Sequence, residues 1–255
     1  MMLEARHLSI RFGGLRAVQD VSFSVPQGQV SALIGPNGAG KSTLFGLMSG
    51  FLRPDTGSVL LAGRDITGMA PHAVCRLGMT RTFQIVQPFA GQTVRENIAV
   101  GAHLREPDRA HALAAAEAVA RRLGLEAELD KLASSLTIAG RKRLELARAL
   151  ATQPRLLLLD EVLAGLNPQE VAEMIPVIRG LCESGVTVFM IEHVMQAVMN
   201  LAAHVWVISQ GELIAAGSPA EVTSDARVIE AYLGHGTAQR LALKGAAGAG
   251  GVARA

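Results

Sequence analysis

The sequence predicts an α/β fold in which a sheet-rich core is interrupted by a helical lobe. Three observations predict it. Residues 30–34 form a short apolar run that feeds a glycine-rich loop and then a helix-patterned stretch. Residues 156–159 and 186–191 are two more short apolar runs, the pattern of parallel strands buried on both faces. Between the first run and the second, residues 95–129 are dense in Ala, Leu, Glu and Arg, which are strong helix formers.

The elements follow in order. Leu8-Ser9-Ile10-Arg11-Phe12 alternates apolar and polar residues, as does 18–25, and each reads as a half-buried strand. Pro26-Gln27-Gly28 turns the chain into the buried strand at 30–34. A helix is expected over 41–48, ending near Gly50. Pro54-Asp55-Thr56-Gly57 turns into a strand over 58–62. In the lobe, residues 141–151 place Leu144, Leu146, Ala147 and Leu150 at helical spacing. Residues 205–209 and 213–216 read as a strand pair around Gln210-Gly211. The expected division is a core over 1–90 and 151–235, a helical subdomain over 91–150, and a Gly/Ala-rich disordered tail over 236–255.

Composition narrows the function. Hydrophobic residues make up 49% of the chain, charged residues 18% and aromatics 4%, so an aliphatic core is expected. The formal net charge is only +2, with no basic stripe interleaved with aromatics, which argues against a nucleic-acid partner. Cys75 and Cys182 stand in unrelated contexts without metal-ligand spacing and read as free thiols in a reducing compartment. Residues 1–10 lack the apolar core of a signal peptide. No apolar run approaches the roughly 18 residues a membrane helix needs. A soluble chain is expected, reaching a membrane only through a partner.

Two motifs carry chemistry. Gly35-Pro36-Asn37-Gly38-Ala39-Gly40-Lys41-Ser42, followed by Thr43, fits G-x-x-x-x-G-K-[ST] between an expected strand and an expected helix. Glycines let the backbone wrap phosphates closely, successive N–H groups form an anion nest, and the helix N-terminus adds its positive dipole end. Lys41 would neutralise the β- and γ-phosphates, and Ser42 would hold Mg²⁺. In Leu156-Leu157-Leu158-Leu159-Asp160-Glu161, a buried strand delivers two carboxylates at the end where open α/β sheets bind ligands. Asp160 would reach the metal and Glu161 would polarise the attacking water. Together the motifs imply an NTPase that uses Mg²⁺, and they do not say which kind.

Further segments give the chain a resemblance to the ABC ATPase family, from near its start to about Gly234. Thr82-Phe83-Gln84 resembles the family's Q-loop, which implies that Gln84 senses Mg²⁺ and the γ-phosphate. Residues 136–150 align without gaps on the family signature and its helix, and imply nucleotide contacts from Thr137, Ala139 and Gly140. Ala164-Gly165-Leu166-Asn167-Pro168 resembles the D-loop, with Asn167 where most members carry Asp. Glu192-His193 resembles the switch histidine, and Phe12 stands where members stack an aromatic on adenine, although Phe12 also reads as a strand core residue. The signature departs from L-S-G-G-Q: Thr137 keeps a hydroxyl, Ile138 and Ala139 replace the glycines, and Gly140 replaces the glutamine. Arg141, Lys142, Arg143 and Arg148 read either as a solvated helix face or as flanks of the nucleotide interface.

The resemblance implies a P-loop, RecA-like core with an N-terminal antiparallel β subdomain and an inserted helical subdomain. It also implies two cassettes packed head-to-tail, identical or different, beneath membrane-spanning permease subunits at the cytoplasmic face of the membrane. A periplasmic or extracellular substrate-binding protein would act further upstream. Arg81-Thr82-Phe83-Gln84, Ile191-Glu192-His193-Val194-Met195 and Ala231-Tyr232-Leu233-Gly234 resemble the ATPases of branched-chain amino acid uptake. Urea or amide import and lipopolysaccharide export use related cassettes. A soluble non-transport ABC ATPase and a regulatory cassette that binds ATP without cleaving it are the remaining alternatives.

Overall fold

The computed structural model describes residues 1–233. The tail expected over 236–255 lies outside them. The order of elements is β1 (Leu3–Phe12), β2 (Leu15–Val25), β3 (Val30–Ile34), α1 (Lys41–Met48), β4 (Thr56–Leu61), β5 (Arg64–Asp65), α2 (Pro71–Arg76), β6 (Met79–Arg81), α3 (Val94–Ala102), α4 (Arg109–Arg122), α5 (Ile138–Ala151), β7 (Leu156–Asp160), α6 (Pro168–Glu183), β8 (Thr187–Ile191), α7 (Met195–Leu201), β9 (His204–Ser209), β10 (Glu212–Gly217), α8 (Pro219–Ser224) and α9 (Ala226–Leu233).

The apolar runs sort these strands into two sheets. β3, β7 and β8 are buried at every position, because helices or a second sheet cover both faces. They lie inside a six-stranded sheet of order β10-β9-β3-β8-β7-β6, parallel except for the edge strand β10. The alternating strands β1, β2 and β4 bury one face only and form, with β5, an antiparallel sheet of order β2-β1-β4-β5. Gln210 and Gly211 both take positive φ, +50° and +84°, which closes the β9–β10 hairpin.

Two cores follow. One fills the space between the sheets and around α1, where Phe23, Phe45, Phe189 and Trp206 pack with ring centroids 5.3–5.7 Å apart. The other lies on the opposite face and runs into the helical region, where Ala112, Ala116 and Ala120 of α4 are fully buried. Small side chains there let α4 approach α3 and α5. Each fully buried Leu, Val or Phe contributes about 1.5–3 kcal/mol.

Sequence patterning was silent on α2, β5, β6 and the helices after β7. The longest of them, α6, opens at Asn167 with a capping box: Asn167 Oδ1 accepts from Glu170 N–H while the Glu170 carboxylate accepts from Asn167 N–H, and Pro168 takes the first helical position.

Candidate functional site

The site is set by strand register. β3, β8, β7 and β6 are parallel neighbours, so their C-terminal ends face one way and release four segments side by side. Asp160 pairs with Ile191, which sets Asp160-Glu161 beside Glu192-His193. Arg81 pairs with Leu158, which delivers Thr82-Phe83-Gln84 next to Asp160. β3 ends at Ile34 and leads into the glycine loop.

The loop needs its glycines. Gly40 has φ +106°, and a side chain there would run into the Ala17 carbonyl. A side chain at Gly35 would meet the Ile208 carbonyl in the same way. No side chain caps α1, so the amides of its first turn face the cleft as open donors, the arrangement an anion requires. Lys41 is 7% exposed, and its Nζ donates to the carbonyls of Gly35 at 2.8 Å and Pro36 at 2.9 Å. Burial pushes its pKa down, and the carboxylates of Glu161 and Asp160 oppose that shift.

A cleft of about 1090 Å³ gathers Phe12, the loop residues 37–43, Gln84, Glu161 and His193. Phe12 is 49% exposed, so it is not a strand core residue. Gln84 Nε2 donates to Glu161 Oε2 at 2.8 Å, and His193 Nδ1 lies 3.9 Å from the same oxygen. Glu161 itself has φ +49°, a strained conformation for a residue with a side chain, and strain of this kind clusters at functional sites.

Asp160 is buried beneath this cleft. Its Oδ2 accepts from Arg81 Nη2 at 2.6 Å, while its Oδ1 has no hydrogen-bond partner. Arg81 is held against the rings of Phe45, Phe51 and Phe83, 5.6–5.9 Å from their centroids. Ser42, Gln84 and Asp160 share the walls of an adjoining cleft of about 570 Å³. A hydroxyl, an amide oxygen and a buried carboxylate oxygen lacking a partner are hard oxygen donors that fit a small divalent cation.

The signature residues lie elsewhere. Thr137, Ala139 and Gly140 line a separate cleft with Asn167 and Arg143, away from the loop of their own chain. Thr137 Oγ1 accepts from Gly140 N–H at 3.1 Å and caps α5. Ile138 is 63% exposed beside it.

Four residues of the site were not singled out from sequence: Arg81, Glu145, Glu192, and Lys142 as distinct from its cluster. Lys142 is buried, Arg143 pairs with Glu173, and Arg141 is exposed, so the basic cluster is not one solvated face. The signal was present, since 142, 145, 146 and 149 recur at helical spacing on the inward face of α5. Glu192 Oε1 accepts from Leu163 N–H at 3.0 Å, and its other oxygen is buried without a partner. Burial above all raises its pKa, to about 7, and the charge on Glu161 adds to the shift.

This fold and cleft define a nucleotide-binding ATPase of the phosphate-loop class. The family model described as ABC transporter matches residues 18–164, and one described as branched-chain amino acid ATP-binding cassette transporter matches residues 212–238. The high-affinity branched-chain amino acid transport ATP-binding protein LivG of Salmonella typhimurium is 38% identical over 249 residues, covering 91% of this chain and 98% of that protein. BraF of Pseudomonas aeruginosa, of the same description, is 39% identical over 250 residues with the same coverage. Among solved structures, the ADP conformation of MJ1267, an ATP-binding cassette of an ABC transporter, superposes with a TM-score of 0.84 at 32% identity, covering 92% of this chain and 99% of that one.

The chain belongs to the ABC transporter family, as one of its ATP-binding cassettes. It is an ATP-binding and ATP-hydrolysing transporter subunit. Among the described residues, no helix is long and apolar enough to cross a membrane.

Proposed function

We propose that this chain powers the uptake of branched-chain amino acids, as one of two cassettes held beneath permease subunits at the cytoplasmic face of the membrane. The likeness to LivG and BraF over 91% of the chain supports the substrate class. The observation that carries the mechanism is the separation of the two clefts: Lys41, Glu161 and His193 line one, and Thr137 and Gly140 the other. A nucleotide in the first cleft needs a second cassette, identical or different, to bring a Thr137-type turn to its γ-phosphate. The triphosphate then acts as interfacial glue, and its cleavage loosens the pair.

Within the cleft, Phe12 stacks the adenine. The amides of residues 37–43 and the Lys41 ammonium meet the phosphate charge. Ser42, Asp160 and Gln84 would hold Mg²⁺, which when bound neutralises phosphate charge. Glu161 orients water for in-line attack, His193 contacts the γ-phosphate, and the α5 dipole behind Thr137 and Gly140 completes the pocket from the partner. The helical subdomain, residues 91–150, and the Q-loop pass the change to the permeases. Exposed Phe51 and Phe83 pack edge to face beside Gln84, with exposed Ile85 next to it, and the permeases cover this apolar surface. A substrate-binding protein delivers the amino acid to those permeases from the far side of the membrane.

The test is reconstitution with the permeases and the binding protein. Leucine, isoleucine or valine stimulates ATP hydrolysis, and urea does not. Stimulation by urea alone contradicts the substrate assignment.

A further inference from the structure

We propose that Lys142 is a positioning residue for hydrolysis: from the signature helix it grips the main chain of both Gln84 and Glu161, so that α5 sets where the water-activating carboxylate lies. The inference rests on the reading of Glu161 given above.

Lys142 stands five residues beyond the helix cap Thr137, in a run of three cations, yet it is only 6% exposed. Its Nζ donates to the Gln84 carbonyl and to the Glu161 carbonyl, each at 3.2 Å. One ammonium thus joins two loops 77 residues apart in the chain. Glu145, one turn further on, accepts a hydrogen bond from Phe83 N–H. The turn Lys142–Glu145 therefore brackets Gln84, holding the amide before it and its own carbonyl.

The contacts close into a ring. α5 holds the Gln84 backbone, the Gln84 side chain donates to Glu161 Oε2, and the Glu161 carbonyl returns to Lys142. Glu161 needs such holding, because its backbone at φ +49° lies where side-chain-bearing residues rarely settle. Its carbonyl has one other donor, Ala164 N–H at 3.1 Å.

Physical cost points to the same role. Taking an ammonium out of water is expensive unless its donors are used. Lys142 forms no ion pair within 4.0 Å among the described residues, and its acceptors are carbonyls of two loops that carry cleft residues. Its charge also favours the ionised forms of Glu145 and Glu192, while its two hydrogen bonds tie together the loops that carry Gln84 and Glu161. That tie means that a shift of the helical subdomain reaches the catalytic carboxylate without passing through the nucleotide.

The experiment compares Lys142→Met, Lys142→Arg and a Glu161→Gln control in the full-length chain assembled with its membrane partners, reading kcat, KM for ATP and Tm. Lys142→Met lowers kcat at least 20-fold, with KM within threefold. Lys142→Arg, which keeps a cation of similar reach, restores at least a third of wild-type kcat. Wild-type turnover in Lys142→Met beside an inactive Glu161→Gln overturns the clamp alone. Wild-type turnover in Glu161→Gln overturns the reading of Glu161 and the clamp with it. An equal loss of kcat and Tm in both the Met and Arg variants shows a merely structural lysine and also overturns the proposal.

Discussion

Gln84 and Glu161 meet side chain to side chain, amide nitrogen to carboxylate oxygen at 2.8 Å, although they leave the ends of different strands. The pairing links the segment that follows β6 to the carboxylate beside the phosphate loop. If the permeases contact the Gln84 segment, as proposed above, this pairing ties that contact to the chemistry.

Replacing Glu161 by Gln keeps the shape and removes the carboxylate proposed to orient water. Turnover is expected to fall roughly 10²–10³-fold, the scale of lost general-base help, while ATP affinity stays within about threefold. Steady-state hydrolysis and equilibrium nucleotide binding on the same preparation check it.

Gly40→Ala tests the loop geometry. A side chain at φ +106° is strained, and it would also overlap the Ala17 carbonyl. The expected cost is about 2–3 kcal/mol, or a fall in Tm of about 5–10 °C for a domain of this size. Thermal unfolding measures it.

Glu192 gives a pH dependence. In the folded chain its carboxyl titrates near 7, against an ordinary value of 4.5, with burial the main cause, Glu161 repulsion adding to it, and the Leu163 and His193 amides and Lys142 opposing. The folded state therefore binds this proton more tightly than the unfolded state. The contribution is complete below about pH 4.5 and is lost as pH rises towards 7, a change of about 3 kcal/mol. Glu192→Gln stays neutral, so the variant gains on the wild type by that amount across the window. Unfolding curves from pH 4.5 to 8 check it, and parallel curves contradict it.

Thr137→Ala removes the α5 cap and is expected to cost about 1 kcal/mol, with Thr137→Ser recovering most of it. Because Thr137 lies outside its own chain's nucleotide cleft, ATP affinity of the isolated chain stays unchanged while hydrolysis in the assembled transporter falls. Binding measured on the chain and turnover measured on the complex separate the two effects.

Much of this was legible in the sequence because it depends on local rules. The run at 30–34, the loop that follows and the helix at 41–48 are fixed by burial, glycine conformation and phosphate chemistry within 20 residues. The pair Asp160-Glu161 was legible for the same reason. Arg81, Lys142 and Glu192 were not, since their meaning comes from sheet order: Arg81 faces Asp160 only because β6 lies beside β7, and Glu192 reaches the Leu163 amide only because β8 flanks β7. Lys142 was masked by neighbouring arginines that point elsewhere. The α6 helix is harder to read although Asn167, Pro168 and Glu170 spell its start, because Asn167 and Pro168 also end the segment that resembles the D-loop.

Calorimetric titration of Mg-ATP into the full-length chain and its Lys41→Ala variant tests the central claim most directly. Stoichiometric binding by the wild type, weakened at least tenfold when Lys41 is removed, is the expected result. No heat of binding in the folded wild type, or equal affinity in both chains, would contradict a triphosphate held by the loop from Gly35 to Ser42.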